Sequence, residues 1–226
     1  MKLITPIKGI IFDLDGVLID SEPNYFEADR RVMAEYGVVL TEEMHKEFTG
    51  IGNKQMAKFV KEKYKLKDPI EVILRKKDKM YMDLALHNTR VFPQMREFLR
   101  LLKEKNLPMA VATGSSRWIL DEVMESTKIK SFFNVTISSE EVRDPKPAPD
   151  VFIEAAKKIN VQAHEALVIE DSQYGVEAAL KAGMQCIAIP SYSYDSNDLP
   201  EVFYSASLLI KGGMENFDPR DVMALL

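Results

Sequence analysis

The chain has 226 residues, of which 46% are hydrophobic and 29% are charged, and its formal net charge is −5. This length suffices for one large domain or for a core with a small insert. The apolar runs are far shorter than the roughly 20 residues that a membrane-spanning helix needs, so we expect no membrane association. Nucleic-acid binding depends on clustered lysine and arginine, so the negative net charge argues against a nucleic-acid partner.

The first residues and the single cysteine bear on the cellular compartment. Met1–Lys8 contains no apolar segment followed by a small-residue cleavage site, so no export signal is predicted. Cys186 is the only cysteine, which excludes an intramolecular disulfide, and it lies in an apolar run where we expect burial. We therefore predict a cytoplasmic protein, and we expect it to be a monomer.

The first predicted element is a buried strand. Lys8–Asp13 is a short apolar run that ends in a carboxylate, which is typical of a strand inside a sheet. Asp13 and Asp15 stand one residue apart where the chain leaves this strand. Aspartate is common in turns, so this pair alone is weak support for a function.

A helical segment follows the first strand. The chain from 21 to 91 shows no convincing strand pattern. Its amphipathic patterns predict helices at Glu22–Tyr36, Glu42–Phe48, Lys54–Lys63 and Pro69–Leu86. We therefore predict a helical cap domain at residues 21–89, inserted into a core that consists of residues 1–20 and 90–226.

Further apolar runs alternate with helical patterns in the rest of the chain. The runs are Pro108–Thr113, Val135–Ser138, Ala166–Asp171 and Gln185–Pro190, and the helical patterns are Trp118–Ser126, Asp150–Ile159 and Tyr174–Ala182. Such alternation predicts an α/β fold with a doubly wound, mainly parallel, Rossmann-like sheet. Ligands of these sheets bind beyond the carboxyl ends of the strands, so polar residues there are candidates for chemistry.

Polar residues stand at these predicted strand ends. Thr113 ends one run and is followed by Gly114, whose backbone can approach an anion closely. Lys146 lies between prolines that restrict its backbone. Glu170 and Asp171 end another buried run, where ionised carboxylates are costly unless they are paired or bind a metal. Taken singly, each group has an ordinary structural explanation as a helix cap or a rigid loop.

Together these groups indicate phosphoryl transfer. A carboxylate cannot approach a phosphate dianion unless a metal ion and cationic or hydrogen-bonding groups reduce the repulsion. The acids, the hydroxyl and the lysine at neighbouring strand ends would supply those groups. Carboxylate oxygens are the ligands that Mg²⁺ prefers, so we expect Mg²⁺ as the cofactor.

Four motifs of the chain resemble those of haloacid dehalogenase-like hydrolases. In order, they are Asp13-Leu-Asp-Gly-Val, the strand end at Thr113, Lys146-Pro-Ala-Pro-Asp and Glu170-Asp-Ser. Asp20-Ser-Glu-Pro and the helix pattern Gly175–Gly183 are similar to a subgroup with a helical cap, which contains sugar-phosphate phosphatases and β-phosphoglucomutases. The resemblance covers nearly the whole chain. It implies a phosphatase of small phosphorylated metabolites, such as sugar phosphates or nucleotide-like monophosphates, that forms an aspartyl-phosphate.

The resemblance also implies a role for each site residue. Asp13 would be the nucleophile, and Asp15 the acid that protonates the leaving oxygen and then activates water. Thr113 would bind the phosphoryl oxygens, while Lys146 would steady Asp13 and the transferring group. The ligands of Mg²⁺ would be Asp13, the carbonyl of Asp15 and Asp171, with Glu170 close to the ion.

Substrate contacts are expected from one loop of the core and from the cap. The candidates are Gly114, Ser115, Ser116 and Arg117 in the loop, and Tyr25, Asn53 and Lys54 in the cap. Arg117 also stands one helical turn from Asp121, which predicts an ion pair. Tyr25 and Trp118 lie on helical stripes, where packing is the more common role.

Two other functions fit part of the pattern. Relatives that are β-phosphoglucomutases carry a cap histidine and a cap arginine where this chain has Tyr25 and Asn53, which favours hydrolysis, although Lys54 could replace the arginine. A receiver module of two-component signalling also combines a phosphorylatable aspartate with an acidic pair, a hydroxyl and a lysine. Receivers need neither a cap nor a second carboxylate such as Asp15, so the sequence favours the phosphatase.

Overall fold

The chain divides into two compact units, one formed by Met1–Asp20 with Arg90–Leu226 and the other by Ser21–Thr89. The structure is a computed structural model. It describes residues 6–46, 53–191, 194 and 197–226, with Lys46 and residues 53–55 described by their backbone only. Among the helices in these ranges, none has the length and apolar character needed to cross a bilayer.

The first unit contains a six-stranded parallel sheet. The strands of the chain are β1 (Gly9–Phe12), β2 (Ile19–Asp20), β3 (Arg90–Val91), β4 (Met109–Thr113), β5 (Val135–Ser138), β6 (Ala166–Glu170), β7 (Gln185–Ala188) and β8 (Leu208–Leu209). The sheet has the order β5-β4-β1-β6-β7-β8, while β2 and β3 form an antiparallel pair of their own. The predicted strands and the parallel α/β fold are thus confirmed, with strand ends within two residues of their predicted positions.

Helices cover both faces of this sheet. The helices among the described residues are α1 (Glu22–Glu35), α2 (Glu42–Lys46), α3 (Asn53–Lys63), α4 (Ile70–Asn88), α5 (Pro93–Glu104), α6 (Arg117–Ser126), α7 (Asp150–Lys158), α8 (Gln173–Lys181) and α9 (Pro219–Met223), of which α5 to α9 belong to the first unit. Ile11 of β1 packs in one cluster with Phe152 of α7 and Val176 of α8. The next side chain, Phe12, points to the other face and meets Phe98 of α5 edge-on, with ring centroids 6.1 Å apart. Burial on both faces explains why the strands are almost uniformly apolar.

The second unit consists of α1 to α4. Its core includes Met33, Val60 and Ile73. It also buries Asp29, which pairs with Lys77 at 2.9 Å and lies 3.1 Å from His45 Nε2. The four predicted helices are present, and the part of the second prediction beyond residue 46 lies outside the described residues.

Five strands and helices of the first unit were not predicted from the sequence. The strands β2, β3 and β8 have two residues each, which is too short to show an alternating pattern. The helices α5 and α9 were also missed. Pro93 occupies the first turn of α5, where its fixed φ angle suits a helix start.

Candidate active site

Three charged side chains meet at the carboxyl edge of the sheet. Lys146 Nζ donates to Asp13 Oδ1 at 2.6 Å, to Glu170 Oε1 at 2.7 Å and to the Ala112 carbonyl at 3.1 Å. These acceptors use all three protons of the ammonium group, so its position is fixed. Asp13 is 6% exposed and Glu170 is fully buried. Asp13 continues the line of β1, because its N–H donates to the Ile169 carbonyl of β6 at 3.0 Å.

The electrostatics of this cluster favour a bound cation. Burial raises the pKa of Asp13 to about 7; Lys146 acts in the opposite direction, and the charges of Glu170 and Asp15 add to the increase. Burial by itself would lower the pKa of Lys146, but Asp13 and Glu170 raise it above its ordinary value, so the amine keeps its proton. One lysine faces several carboxylates, and a divalent cation would compensate the excess negative charge.

Three carboxylates of the cluster could hold a metal ion. One oxygen each from Asp13, Glu170 and Asp171 lies within 4.8 Å of the others. Hard oxygen donors of this kind fit Mg²⁺. The turn that carries Asp15 also approaches this group, because a Cβ at Gly16 would lie 2.1 Å from Asp171 Oδ2. Gly16 has a φ angle of +73°, so the turn needs glycine for its backbone conformation as well as for space.

The hydroxyl of Ser115 orients Asp15. Ser115 Oγ donates to Asp15 Oδ2 at 2.7 Å. The backbone around Asp15 forms a tight turn, in which the N–H of Gly16 donates to the Ile19 carbonyl at 2.9 Å. Ser115 was predicted as a substrate contact, and this hydrogen bond supports a role in positioning Asp15.

The loop after β4 leaves room for an anion. Thr113 is buried at the end of the strand, and its Oγ1 accepts from the Ser115 N–H at 3.1 Å. That bond uses a lone pair of the hydroxyl, so its proton can be donated to a phosphoryl oxygen. Gly114 is exposed, and a Cβ built on it would meet no atom within 4 Å. This placement supports Thr113 and Gly114 as phosphate-binding residues.

Ser172 and Gly175 shape the surroundings of the buried Glu170, and neither role was predicted from the sequence. Glu170 Oε2 accepts from the N–H groups of Asp171 and Ser172, both at 2.8 Å, and from Ser172 Oγ at 3.0 Å. Ser172 Oγ also accepts from the Gly175 N–H at 3.0 Å, which makes it the N-cap of α8. A serine directly before a helix is the sequence signal that could have identified this cap.

Gly175 leaves the space that Glu170 occupies. A Cβ at Gly175 would lie 1.6 Å from Glu170 Oε1. Helix propensity alone predicts that Gly175→Ala stabilises α8 by about 1 kcal/mol. We expect the opposite sign, a loss of about 2 kcal/mol, because the added methyl group displaces a buried carboxylate. Lys146 would lose a partner, so kcat/KM should fall at least about tenfold.

Urea unfolding of the single and double variants checks this expectation. Combining Gly175→Ala with Glu170→Ala should relieve the clash. The double variant should therefore lose less free energy of unfolding than the two single variants lose together. A Gly175→Ala protein as stable as the wild type would contradict the steric argument.

Ser116 and Arg117 take part in local structure. Ser116 Oγ accepts from the Ile119 N–H at 3.4 Å and caps α6. The Arg117 guanidinium binds both oxygens of Asp121, at 2.9 and 2.6 Å, and Glu141 Oε1 at 3.0 Å. The predicted ion pair with Asp121 is confirmed. These contacts favour a structural role for both residues over substrate binding.

Tyr25 and Trp118, the two aromatic residues for which packing was predicted, differ in how they pack. Tyr25 packs as expected: its ring stacks on Tyr81 with centroids 4.1 Å apart, and Lys77 Nζ lies 5.3 Å from its centroid. The expectation of packing is wrong for Trp118, which is 53% exposed because the following residues of α6 turn to the core in its place. Asn53 and Lys54 begin α3, and their side chains lie outside the described residues.

Known proteins are similar to this chain in sequence and in fold. A phosphorylated carbohydrates phosphatase of Thermotoga maritima is 32% identical, over 97% of this chain and 98% of that protein. The fructose-1-phosphate phosphatase YqaB of Escherichia coli is 27% identical, over 80% of this chain and 95% of that protein. The crystal structure of a CbbY mutant from Rhodobacter sphaeroides in complex with xylulose-1,5-bisphosphate has 24% identity and a TM-score of 0.78, over 94% of this chain and 99% of that one, which shows a common fold.

The sequence profile of haloacid dehalogenase-like hydrolases matches residues 10–189. The matched region includes Asp13, Thr113, Lys146 and Glu170, at which the four motifs were recognised. The resemblance inferred from the motifs is confirmed. The chain belongs to the haloacid dehalogenase-like hydrolase family.

Proposed function

We propose that this protein is a Mg²⁺-dependent phosphatase of small phosphorylated metabolites, with sugar phosphates as the preferred class. The observation that carries the proposal is the buried Asp13 carboxylate, held by Lys146 at 2.6 Å beside Glu170 and Asp171. The substrate class is supported by the two relatives named as phosphatases of phosphorylated carbohydrates and of fructose 1-phosphate. The inserted unit Ser21–Thr89 is proposed as the helical cap of the family.

The first step is nucleophilic attack by Asp13. A carboxylate oxygen of Asp13 forms a bond to phosphorus while the bond from phosphorus to the leaving oxygen breaks. Asp15 gives its proton to that oxygen, and the alcohol departs. Lys146 keeps Asp13 in place and offsets part of the negative charge of the phosphoryl group, to which Thr113 donates its hydroxyl proton.

The second step hydrolyses the aspartyl-phosphate. Asp15, now a carboxylate, accepts a proton from water as the water oxygen attacks phosphorus. The bond between phosphorus and Asp13 breaks, inorganic phosphate forms, and the Asp13 carboxylate is restored. Ser115, which donates to Asp15 at 2.7 Å, keeps the acid and base group in one orientation through both steps.

Mg²⁺ fits this site because oxygen atoms of Asp13, Glu170 and Asp171 already converge within 4.8 Å. We propose Asp13, Asp171 and the Asp15 carbonyl as its ligands, with Glu170 nearby. When bound, the ion supplies positive charge that reduces the repulsion between carboxylate and phosphate.

The alternative functions have less support. Membership of a hydrolase family argues against a receiver module. The phosphoglucomutase alternative rests on Asn53 and Lys54, whose side chains are outside the described residues, whereas the two related proteins compared by sequence are named phosphatases. The cytoplasmic location and the monomeric state stay predictions.

Removal of the metal tests the proposal. Phosphate release from p-nitrophenyl phosphate should vanish in EDTA and return when Mg²⁺ is added in excess. Ca²⁺ should inhibit, because its larger and looser ligand shell misplaces the nucleophile and the phosphate. Full activity in EDTA would contradict the site described above.

A variant and a substrate panel sharpen this test. Asp171→Asn should need at least about tenfold more Mg²⁺ for half-maximal activity, because it removes one charged ligand. The exposed Asp83 provides the matched control, and Asp83→Asn should leave the Mg²⁺ requirement unchanged. A panel of phosphorylated metabolites should show the highest kcat/KM for a sugar phosphate.

A further inference from the structure

The turn after β5 is bound to the loop after β4. The two strands are parallel neighbours, and Ser138 is the register partner of Thr113. Ser138 Oγ donates to the Ser115 carbonyl at 2.7 Å, and Ser139 Oγ donates to the Gly114 carbonyl at 2.9 Å. Two consecutive serines therefore hold two consecutive carbonyls of the loop.

The direction of the buried hydrogen bond is determined by its neighbours. Ser138 is fully buried, and its Oγ accepts from the Glu140 N–H at 3.2 Å. A carbonyl can only accept, so the proton of Ser138 must go to the Ser115 carbonyl. A third contact comes from the same turn, since Glu140 Oε2 accepts from the Arg117 N–H at 2.9 Å. The turn thus binds the loop along most of its length.

These contacts fix the orientation of two backbone N–H groups of the loop, those of Ser115 and Ser116. In a planar trans peptide the N–H points away from the preceding carbonyl. Holding the Gly114 carbonyl therefore orients the Ser115 N–H, which donates to Thr113 Oγ1 at 3.1 Å. Holding the Ser115 carbonyl likewise orients the N–H of Ser116. The hydroxyl of Thr113 and the backbone around the exposed Gly114 are both set by this arrangement.

We infer that Ser138 and Ser139, here called the serine clamp, are positioning residues that preorganise the loop Thr113–Arg117 for the phosphate group of the substrate. The inference rests on the proposed phosphatase function. Donors that are already in place need no ordering when an anion binds, so they bind it more tightly than a mobile loop would.

At Ser139, the effect of the clamp on phosphate binding can be separated from its effect on the stability of the fold. Ser139 is partly exposed, and its hydroxyl makes a bond at the protein surface. The net contribution of such a bond to folding is small, because water can replace it in the unfolded chain. Its loss should therefore affect phosphate binding more than it affects the melting temperature.

The test compares Ser138→Ala, Ser139→Ala and the double variant with the wild type. With p-nitrophenyl phosphate and Mg²⁺, each single change should raise KM and the inhibition constant of inorganic phosphate about fivefold, and the double change about twentyfold. Ser139→Thr keeps the hydroxyl and should restore wild-type values. Ser126→Ala is the matched control, because Ser126 Oγ also donates to a carbonyl, that of Val123 at 3.2 Å, but at the far end of α6.

The outcomes are distinct. A folded Ser139→Ala variant within twofold of the wild type in both constants overturns the clamp, as does an equal effect of Ser139→Thr or of Ser126→Ala. A wild type that hydrolyses no phosphate ester overturns the proposed function instead. In that case, calorimetric titration with inorganic phosphate and Mg²⁺ tests the serine clamp. The proposed role of the clamp is overturned if the wild type does not bind phosphate, or if it binds phosphate no more tightly than the double variant does.

Discussion

Asp13→Asn is expected to lower kcat by at least about four orders of magnitude, which corresponds to about 5.5 kcal/mol in the activation free energy. The change removes the nucleophile and one charge of the metal site but alters the side-chain volume very little. Lys146 keeps its bonds to Glu170 at 2.7 Å and to the Ala112 carbonyl at 3.1 Å, so we expect the fold to be retained.

Steady-state turnover of a sugar phosphate and of p-nitrophenyl phosphate measures this loss. The unfolding temperature of the variant shows whether the protein is folded, and Asp83→Asn makes the same chemical change on an exposed helix face as the control. Asp13 would not be the nucleophile if Asp13→Asn kept more than about a tenth of the wild-type kcat, which corresponds to an increase of less than about 1.4 kcal/mol in the activation free energy.

Asp15→Asn is expected to slow substrates with poor leaving groups more than an activated aryl phosphate. The alkoxide of a sugar phosphate must be protonated as its bond to phosphorus breaks, whereas p-nitrophenolate leaves with little help. General acid catalysis contributes about 10²- to 10⁴-fold, so the first step should slow by that factor for the sugar phosphate alone. Hydrolysis of the aspartyl-phosphate also needs Asp15, so steady-state turnover should fall for both substrates.

Single-turnover measurements separate the two steps. With Asp15→Asn, the aryl phosphate should still give a burst of p-nitrophenolate and leave phosphate trapped on Asp13. The sugar phosphate should give no burst of released sugar. An equal loss of the first phase for both substrates would mean that Asp15 acts mainly by shaping the turn beside Asp171. Its role as the general acid would then be withdrawn.

The sequence by itself determined the central part of the fold. The strands β1 (Gly9–Phe12) and β6 (Ala166–Glu170) could be predicted because strands buried on both faces carry an almost continuous apolar pattern. Strand ends of a parallel sheet share one edge, so Asp13 and Glu170 could be expected to lie close together from their positions at the ends of such runs, with Lys146 in a loop that leaves the same edge. The family motifs placed the same residues in one site.

Only the tertiary structure decided which atoms meet. The bonds of Ser138 and Ser139 to the loop after β4 depend on the register between β4 and β5, and the two segments lie more than twenty residues apart without a shared local pattern. The contact between Gly175 and Glu170 depends on how closely α8 approaches the end of β6. Trp118 illustrates the same limit: helical periodicity indicates a stripe of the helix, but the side chains packed around that stripe determine which residue is buried.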